Sequence, residues 1–182
     1  MSVAPKMELR PLRPDDEGAF RLAHEAAARR DPPWEFGFQV RAKPDFAAYA
    51  RWTRGWATGR DIPAHFVPNT FLVAVIGNEI VGRTSIRHRL NAQLMNIGGH
   101  VGYGVTPSRE GQGVATEILR LSLPICLELG LDRILVTCDQ DNIPSRRVIE
   151  KNGGEFENAF SSPELPVPKL RYWIDIQKQI SL

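Results

Sequence analysis

Apolar and polar positions along the chain follow two periods, and the switches between them divide it into elements. MELRPL, residues 7–12, alternates like a short first strand, and Asp15 or Asp16 then caps a helix running through EGAFRLAHEAAARR, which Pro32 and Pro33 end. A second helix is predicted from about Asp45 to Thr58, where Phe46, Tyr49, Trp52 and Trp56 recur at spacings of three and four and form one aromatic stripe. Such a stripe is read as core rather than as a ligand wall. After the loop GRDIPAHFVPN come the strands TFLVAVI and EIVGRTSIRHRL, joined by Gly77 and Asn78 as a hairpin. IGGHVGYGV is their third antiparallel partner, reached through the polar turn NAQLMN.

Beyond residue 113 the pattern becomes helical again. Val114, Ile118, Leu121, Ile125 and Leu129 mark one helix face that ends at Gly130, with Pro124 bending it. DRILVTC is a near-continuous apolar strand, as expected of one buried between helices. DNIPSRRVIEKNGG is a short helix with an Asn or Asp cap, Pro144 in its first turn and glycines at its end, and EFENAF and KLRYWIDIQ are the last strands. The resulting order, β-α-α-β-β-β-α-β-α-β-β, predicts an α/β fold of the α+β type: a mixed sheet with helices on both faces.

With 182 residues, 42% hydrophobic and 24% charged, residues 1–182 fit one domain with a sizeable core. A net charge of +2 gives no reason to expect nucleic acid as a partner. The start MSVAPKMELRPL lacks the apolar run of a signal peptide, and no run of about 18 apolar residues exists to span a membrane, so a cytoplasmic protein is expected. Cys126 and Cys138 read as buried free thiols; their spacing suggests neither a disulfide framework nor a metal site.

The chemistry is concentrated in GGHVGYGVTPSREGQGVATEIL, residues 98–119. A helix N-terminus presents unpaired N–H groups and a partial positive charge, and it attracts phosphate where side chains stay out of the way. Gly111 and Gly113 remove those side chains, and Ala115 and Thr116 are small, so pyrophosphate is a natural ligand. The alternative is a glycine-rich connection that lets the loop pass close to the sheet. A dinucleotide fingerprint, with Thr116 in the third glycine place and Asp139 on a ribose, fails on position: TPSRE separates Val105 from Gly111, and about a hundred residues precede the unit. No lysine follows the glycines, which removes a P-loop.

The segment VGYGVTPSREGQGVATEILRLSLPICLELG resembles the acetyl-CoA-binding core of the GNAT superfamily of N-acetyltransferases, whose pattern is Q/R-x-x-G-x-G/A; EGQGVA matches at Gly113 and Ala115. CDQDNIPSRRVIEKNGG is similar to that family's second signature at Asn142, Ser145, Glu150, Lys151 and Gly153. The resemblance implies a GNAT fold of about seven strands, splayed between the fourth and fifth, with acetyl-CoA as acyl donor. It implies pantetheine contacts from the backbone of Tyr103, Gly104 and Val105 and a pyrophosphate site on Glu110, Gly111, Gln112, Gly113, Val114 and Ala115, next to Thr116. Thr116, Asn142 and Ser145 complete the implied cofactor-binding set, Asn142 reaching the arm or its thioester end. The implied reaction is direct attack of a primary amine, on a small molecule or a peptide, by a protein acting as monomer or homodimer.

Departures from the pattern bear on the chemistry. Glu110 stands where the family favours Gln or Arg, with Arg109 beside it to compensate, and Ile149 stands where many members carry a tyrosine acid. The fourth strand has no glutamate; His100 is the candidate base there, and Tyr103, on the opposite face by alternation, a weaker candidate acid. Asp139, Asp141 and Glu155 are further groups that could act through water. Arg83, Arg87 and Arg89 are expected to project to solvent, where they could steer an acidic acceptor. The competing function is a GNAT-fold module that holds acyl-CoA as a sensor or scaffold without turnover.

Overall fold

The computed structural model describes residues 6–40, 45–60 and 62–180. Its strands are β1 (Glu8–Arg10), β2 (Asn69–Ile76), β3 (Glu79–Arg87), β4 (Val101–Val105), β5 (Arg133–Asp139), β6 (Glu155–Phe160) and β7 (Lys169–Asp175). The helices are α1 (Glu17–Ala28), α2 (Phe46–Gly55), α3 (Val114–Glu128), α4 (Ile143–Lys151) and α5 (Ile176–Ile180). The order matches the periodicity with two departures: Leu94–Gly98 form a helical turn, so the expected strand IGGHVGYGV begins only at Val101, and the expected final strand stops at Asp175. Ile176 donates its N–H to the carbonyl of Asp132 at 3.0 Å, which closes the ladder, and the chain turns into α5. Alternation of Leu170, Tyr172, Ile174 and Ile176 cannot register that change, because Ile176 is buried either way.

Local chemistry accounts for the helix starts. Asp45 accepts from the N–H of Ala48 at 3.2 Å, and Asn142 caps α4 by accepting from the N–H of Ser145 at 3.0 Å. Asp16 precedes α1 in a short turn, accepting from the N–H of Arg13 at 2.8 Å while Arg10 grips its carboxylate with two bonds of 2.7 Å. α3 continues without a break through Pro124, which lies on the exposed side, where the carbonyl it leaves unpaired can meet water.

The strands form two sheets, β1-β2-β3-β4 and β5-β7-β6, and every pairing is antiparallel. The single mixed sheet expected from the element order is thus divided: β4 and β5 form no ladder with each other among the described residues. They meet at one point, where His100 N–H donates to Leu135 O at 2.7 Å and Leu135 N–H donates to Nδ1 of His100 at 2.9 Å. Gly99 makes this approach possible, since a Cβ there would lie 2.5 Å from the Leu135 carbonyl oxygen. Past this joint the strands part.

Each face of the first sheet is covered. α1 and α2 bury Phe20, Phe46, Tyr49 and Trp56 against Phe71 and Val73, so the aromatic stripe is core, with Trp52 partly buried at its edge. Full burial contributes roughly 1.5–3 kcal/mol for a large apolar side chain. α3 covers the other side, with Leu119 and Leu123 packed on Ile86 and Val101 and continuing onto Ile134, Tyr172 and Ile174 of the second sheet. One helix therefore holds both sheets while they diverge. Cys126 and Cys138 are buried free thiols in this core, as expected. Among the described residues, no helix is long and apolar enough to cross a membrane.

Candidate active site

The free edge of β4 forms one side of the opening between the sheets. Bonds from Arg87 N–H to His100 O and from Thr106 N–H to Val81 O set the ladder's parity: even-numbered residues of β4 face β3. The N–H and C=O groups of Val101, Tyr103 and Val105 consequently point out of the sheet edge. Gly104, expected to offer its backbone to a ligand, instead pairs with Arg83. Its bare Cα receives the Trp34 indole, with which a Cβ would collide.

The loop after β4 leads into the N-terminus of α3. Gly111 and Gly113 have φ of +71° and +79°, a left-handed conformation that glycine adopts freely, and a Cβ at either position would meet nothing within 4 Å. This answers the alternative posed by the sequence: the glycines turn the chain in open space and do not bring it against the sheet. Within the described chain, no N–H from Gly111 through Gln112, Gly113, Val114 and Ala115 to Thr116 makes a well-formed hydrogen bond. Those donors and the positive end of α3 make an anion cradle. Glu110 does not oppose it directly, because its carboxylate pairs with Arg30 at 2.9 Å. Arg109, expected to neutralise Glu110, is engaged with Glu79, its Nε at 3.0 Å.

Across the opening stands the start of α4. The Tyr103 hydroxyl lies 2.8 Å from Ser145 Oγ and 3.3 Å from the Ser145 carbonyl, so β4 and α4 are bridged by two hydroxyls. Burial pushes the Tyr103 phenol up, and the Ser145 contact offsets part of that, so the group is neutral. Asn142 is exposed, with its Oδ1 spent on the cap and its NH₂ group on solvent. Ile149 is fully buried core. Glu150 accepts from Arg146 at 2.8 Å and from the Tyr172 hydroxyl at 3.2 Å, which gives this motif residue an anchoring role. Asp139 pairs with Lys169 at 2.5 Å and Glu155 lies 3.9 Å from Lys178, while Asp141 is exposed.

His100 occupies the joint and not the opening. Its Nδ1 lone pair is taken by the Leu135 N–H, and burial, helped by the nearby Arg87 charge, lowers its pKa to about 4. A ring so held is a poor fit to the base role expected from its ordinary pKa. Because the folded pKa lies below the unfolded value of about 6.5, the unfolded chain binds the proton more readily between those pH values. This contribution to stability is complete above pH 6.5 and is lost as pH falls toward 4. His100→Ala should therefore cost about 1–3 kcal/mol in urea melts at pH 7.5, through the orphaned Leu135 N–H. It should also flatten the wild-type loss of stability between pH 6.5 and 4.5.

The opposite face of β3 and β4 carries residues that the sequence reading placed elsewhere. Arg83 and Arg87, expected in solvent, are buried and half-buried; Arg89 is exposed as expected. Burial, with some repulsion from Arg87, lowers the Arg83 pKa to about 10, and burial lowers that of Arg87. A usable signal exists in FLVAVI, residues 71–76: a strand apolar at every position is covered on both faces, so neither face of its neighbour β3 could lie in water. Beside Arg87 is a cavity of about 340 Å³, walled by Phe38, Trp56, Phe66, Asn69 and Ser85.

With this geometry in view, comparison with known proteins is direct. Residues 6–155 match the family model described as an acetyltransferase (GNAT) domain, and the chain belongs to that family. It is 34% identical over 76 residues to an uncharacterized N-acetyltransferase, YnaD, of Bacillus subtilis; the match covers 41% of this chain and 43% of that protein. Among solved structures it is similar to Mycobacterium smegmatis RimJ in complex with CoA-disulfide, with a TM-score of 0.69 and 25% identity, covering 94% of this chain and 83% of the other. Ribosomal-protein-S5-alanine acetyltransferase from Vibrio fischeri shares the fold at a TM-score of 0.70 and 15% identity, over 98% and 99% of the two chains.

Proposed function

We propose that this protein is an acetyl-CoA-dependent N-acetyltransferase that acetylates a primary amine, working in the cytoplasm, where its buried thiols stay reduced. The observation that carries the reading is the run of unbonded N–H groups from Gly111 to Thr116, in open space at the start of α3 and beside the free edge of β4. Pyrophosphate oxygens need that combination of donors and room. Tyr103 and Val105, through their outward N–H and C=O groups, would hold the pantetheine amides in the manner of an added strand, and the Asn142 NH₂ would serve as a further donor. Acetyl-CoA, bound so, supplies an activated thioester at the opening.

The chain's own part is positioning. The backbone edge of β4 and the hydroxyls of Tyr103 and Ser145 line the passage between the sheets, and a neutral amine entering from the α1 and α2 side is held against the acyl carbon. Tyr103, neutral and hydrogen-bonded to Ser145, is the group suited to donate toward the departing sulfur. No acidic side chain among the described residues lines the acceptor cavity, and His100 is committed to the joint, so the amine proton is given to solvent.

Acetyl-CoA should bind in calorimetry and, at about a hundred times its dissociation constant, stabilise the fold by about 2.7 kcal/mol, a rise in melting temperature of roughly 5–10 °C. NAD should do neither; the reverse result would sink the assignment. Release of CoA thiol with a panel of primary amines should follow. Binding without turnover on any amine would instead identify a sensor or scaffold.

A further inference from the structure

We propose that the acceptor carries an anionic group, a carboxylate or a phosphate, in addition to its amine, and that Arg87 receives it in the cavity on the α1 and α2 side of β3. The proposal names the substrate class of the site described above and rests on the acetyltransferase reading. Arg87 is fixed by bonds from its Nη1 to the carbonyls of Gly98 and Gly99 at 2.9 and 3.1 Å, and it has no carboxylate partner among the described residues. Its guanidinium lies over Gly102 of β4, about where a Cβ would meet it at 3.4 Å. This places a cation one residue from Tyr103, whose backbone faces the opening, and Arg87 lines the cavity.

A second cation stands behind the first. Arg83 is 8% exposed, stacked 5.2 Å from the Trp34 ring and 4.9 Å from that of Phe38, a cavity wall. Its one bond among the described residues is a long one of 3.4 Å to the Glu35 carbonyl, its Nε has no partner, and no carboxylate pairs with it. Buried charge without a counter-charge is costly, and an anion nearby offsets that cost. The same aromatic cluster holds further buried donors that lack partners: Trp34 Nε1, Trp56 Nε1 and the Tyr49 hydroxyl. The cavity wall itself, with Arg87, Trp56, Asn69 and Ser85 on it and no acid among its described residues, favours a ligand rich in acceptors. The volume of about 340 Å³ suits a compact molecule such as an amino acid or a short peptide end.

Binding and turnover test this separately. In calorimetry on the full chain, 3-phenylpropionate or phenyl phosphate should bind at least tenfold more tightly than 3-phenylpropionamide, and which of the two wins separates carboxylate from phosphate. With acetyl-CoA present, glycyl-L-phenylalanine should exceed its C-terminal amide in kcat/KM, or O-phosphoethanolamine should exceed ethanolamine, by at least tenfold. Arg87→Met should bring the anion-to-neutral ratio toward one, and Arg87→Lys should keep part of it. Equal handling of anionic and neutral probes by the wild type overturns the proposal, as does a ratio unchanged in Arg87→Met. Should Arg87→Met fail to fold, the wild-type ratios and Arg87→Lys still decide. If acetyl-CoA does not bind while the anions do, the acetyltransferase reading fails and the anion site stands; if acetyl-CoA is turned over without preference for anions, the converse holds.

Discussion

Gly113→Asp will weaken acetyl-CoA binding by well over tenfold, more than about 1.4 kcal/mol, and leave a folded protein. The substitution puts a carboxylate at the positive end of α3, among the N–H groups from Gly111 to Thr116 that are proposed to take the pyrophosphate. At φ +79° any side chain strains the backbone, but Asp and Asn tolerate the left-handed region best, and nothing within 4 Å obstructs a Cβ, so the folding cost is about 1 kcal/mol. Gly113→Asn, with the same shape and no charge, is the control. Calorimetry should rank the dissociation constants wild type below Asn below Asp, with the larger step at Asp. A constant unchanged in Gly113→Asp would mean that the glycine serves only to turn the loop.

Gly99→Ala will be strongly destabilising. Gly99 has φ +63° and ψ −175°, a region that is essentially glycine's own and costs another residue about 1–3 kcal/mol. Here the strain adds to a backbone collision, since the new Cβ would lie 2.5 Å from Leu135 O and 3.2 Å from Val136 Cα. Neither atom belongs to a side chain that can swing away. The substitution should lower stability by about 3–5 kcal/mol and the melting temperature by roughly 10 °C, at about 2–4 °C per kcal/mol for a domain of this size. Because the joint at Gly99 and His100 is where the sheets part, the folded remainder should bind acetyl-CoA less tightly. A melting temperature within about 2 °C of wild type would show that the joint yields freely.

Much of the architecture was legible because it follows from local chemistry. Gly77 and Asn78 between apolar runs made the β2–β3 hairpin, Asp45 and Asn142 capped their helices, and the interval between Phe46, Tyr49, Trp52 and Trp56 marked a buried face. The bare start of α3 was legible for the same reason: glycines just ahead of a helical period leave N–H groups open wherever the chain goes next. Harder to see was the fate of the β3 arginines. An alternating polar pattern says only which residues share a face; it took the packing of Trp34 and Phe38 over Arg83 to show that this face is enclosed. His100 was misjudged on related grounds, since an imidazole's ordinary pKa invites a base role until its Nδ1 is found holding the Leu135 N–H.

The sequence by itself determined the main elements, their order, the β2–β3 hairpin and the bare start of α3, all of which depend on residues within a few positions of one another. Only the tertiary structure decided that the two sheets touch at Gly99 and Leu135, that Glu110 is neutralised by Arg30 and not by Arg109, and that Arg83 is enclosed by Trp34 and Phe38 in place of water. Each of these joins residues some 35 to 80 positions apart. Such contacts are selected by how two faces fill space and share charge after collapse, and no local periodicity along the chain records which partner wins.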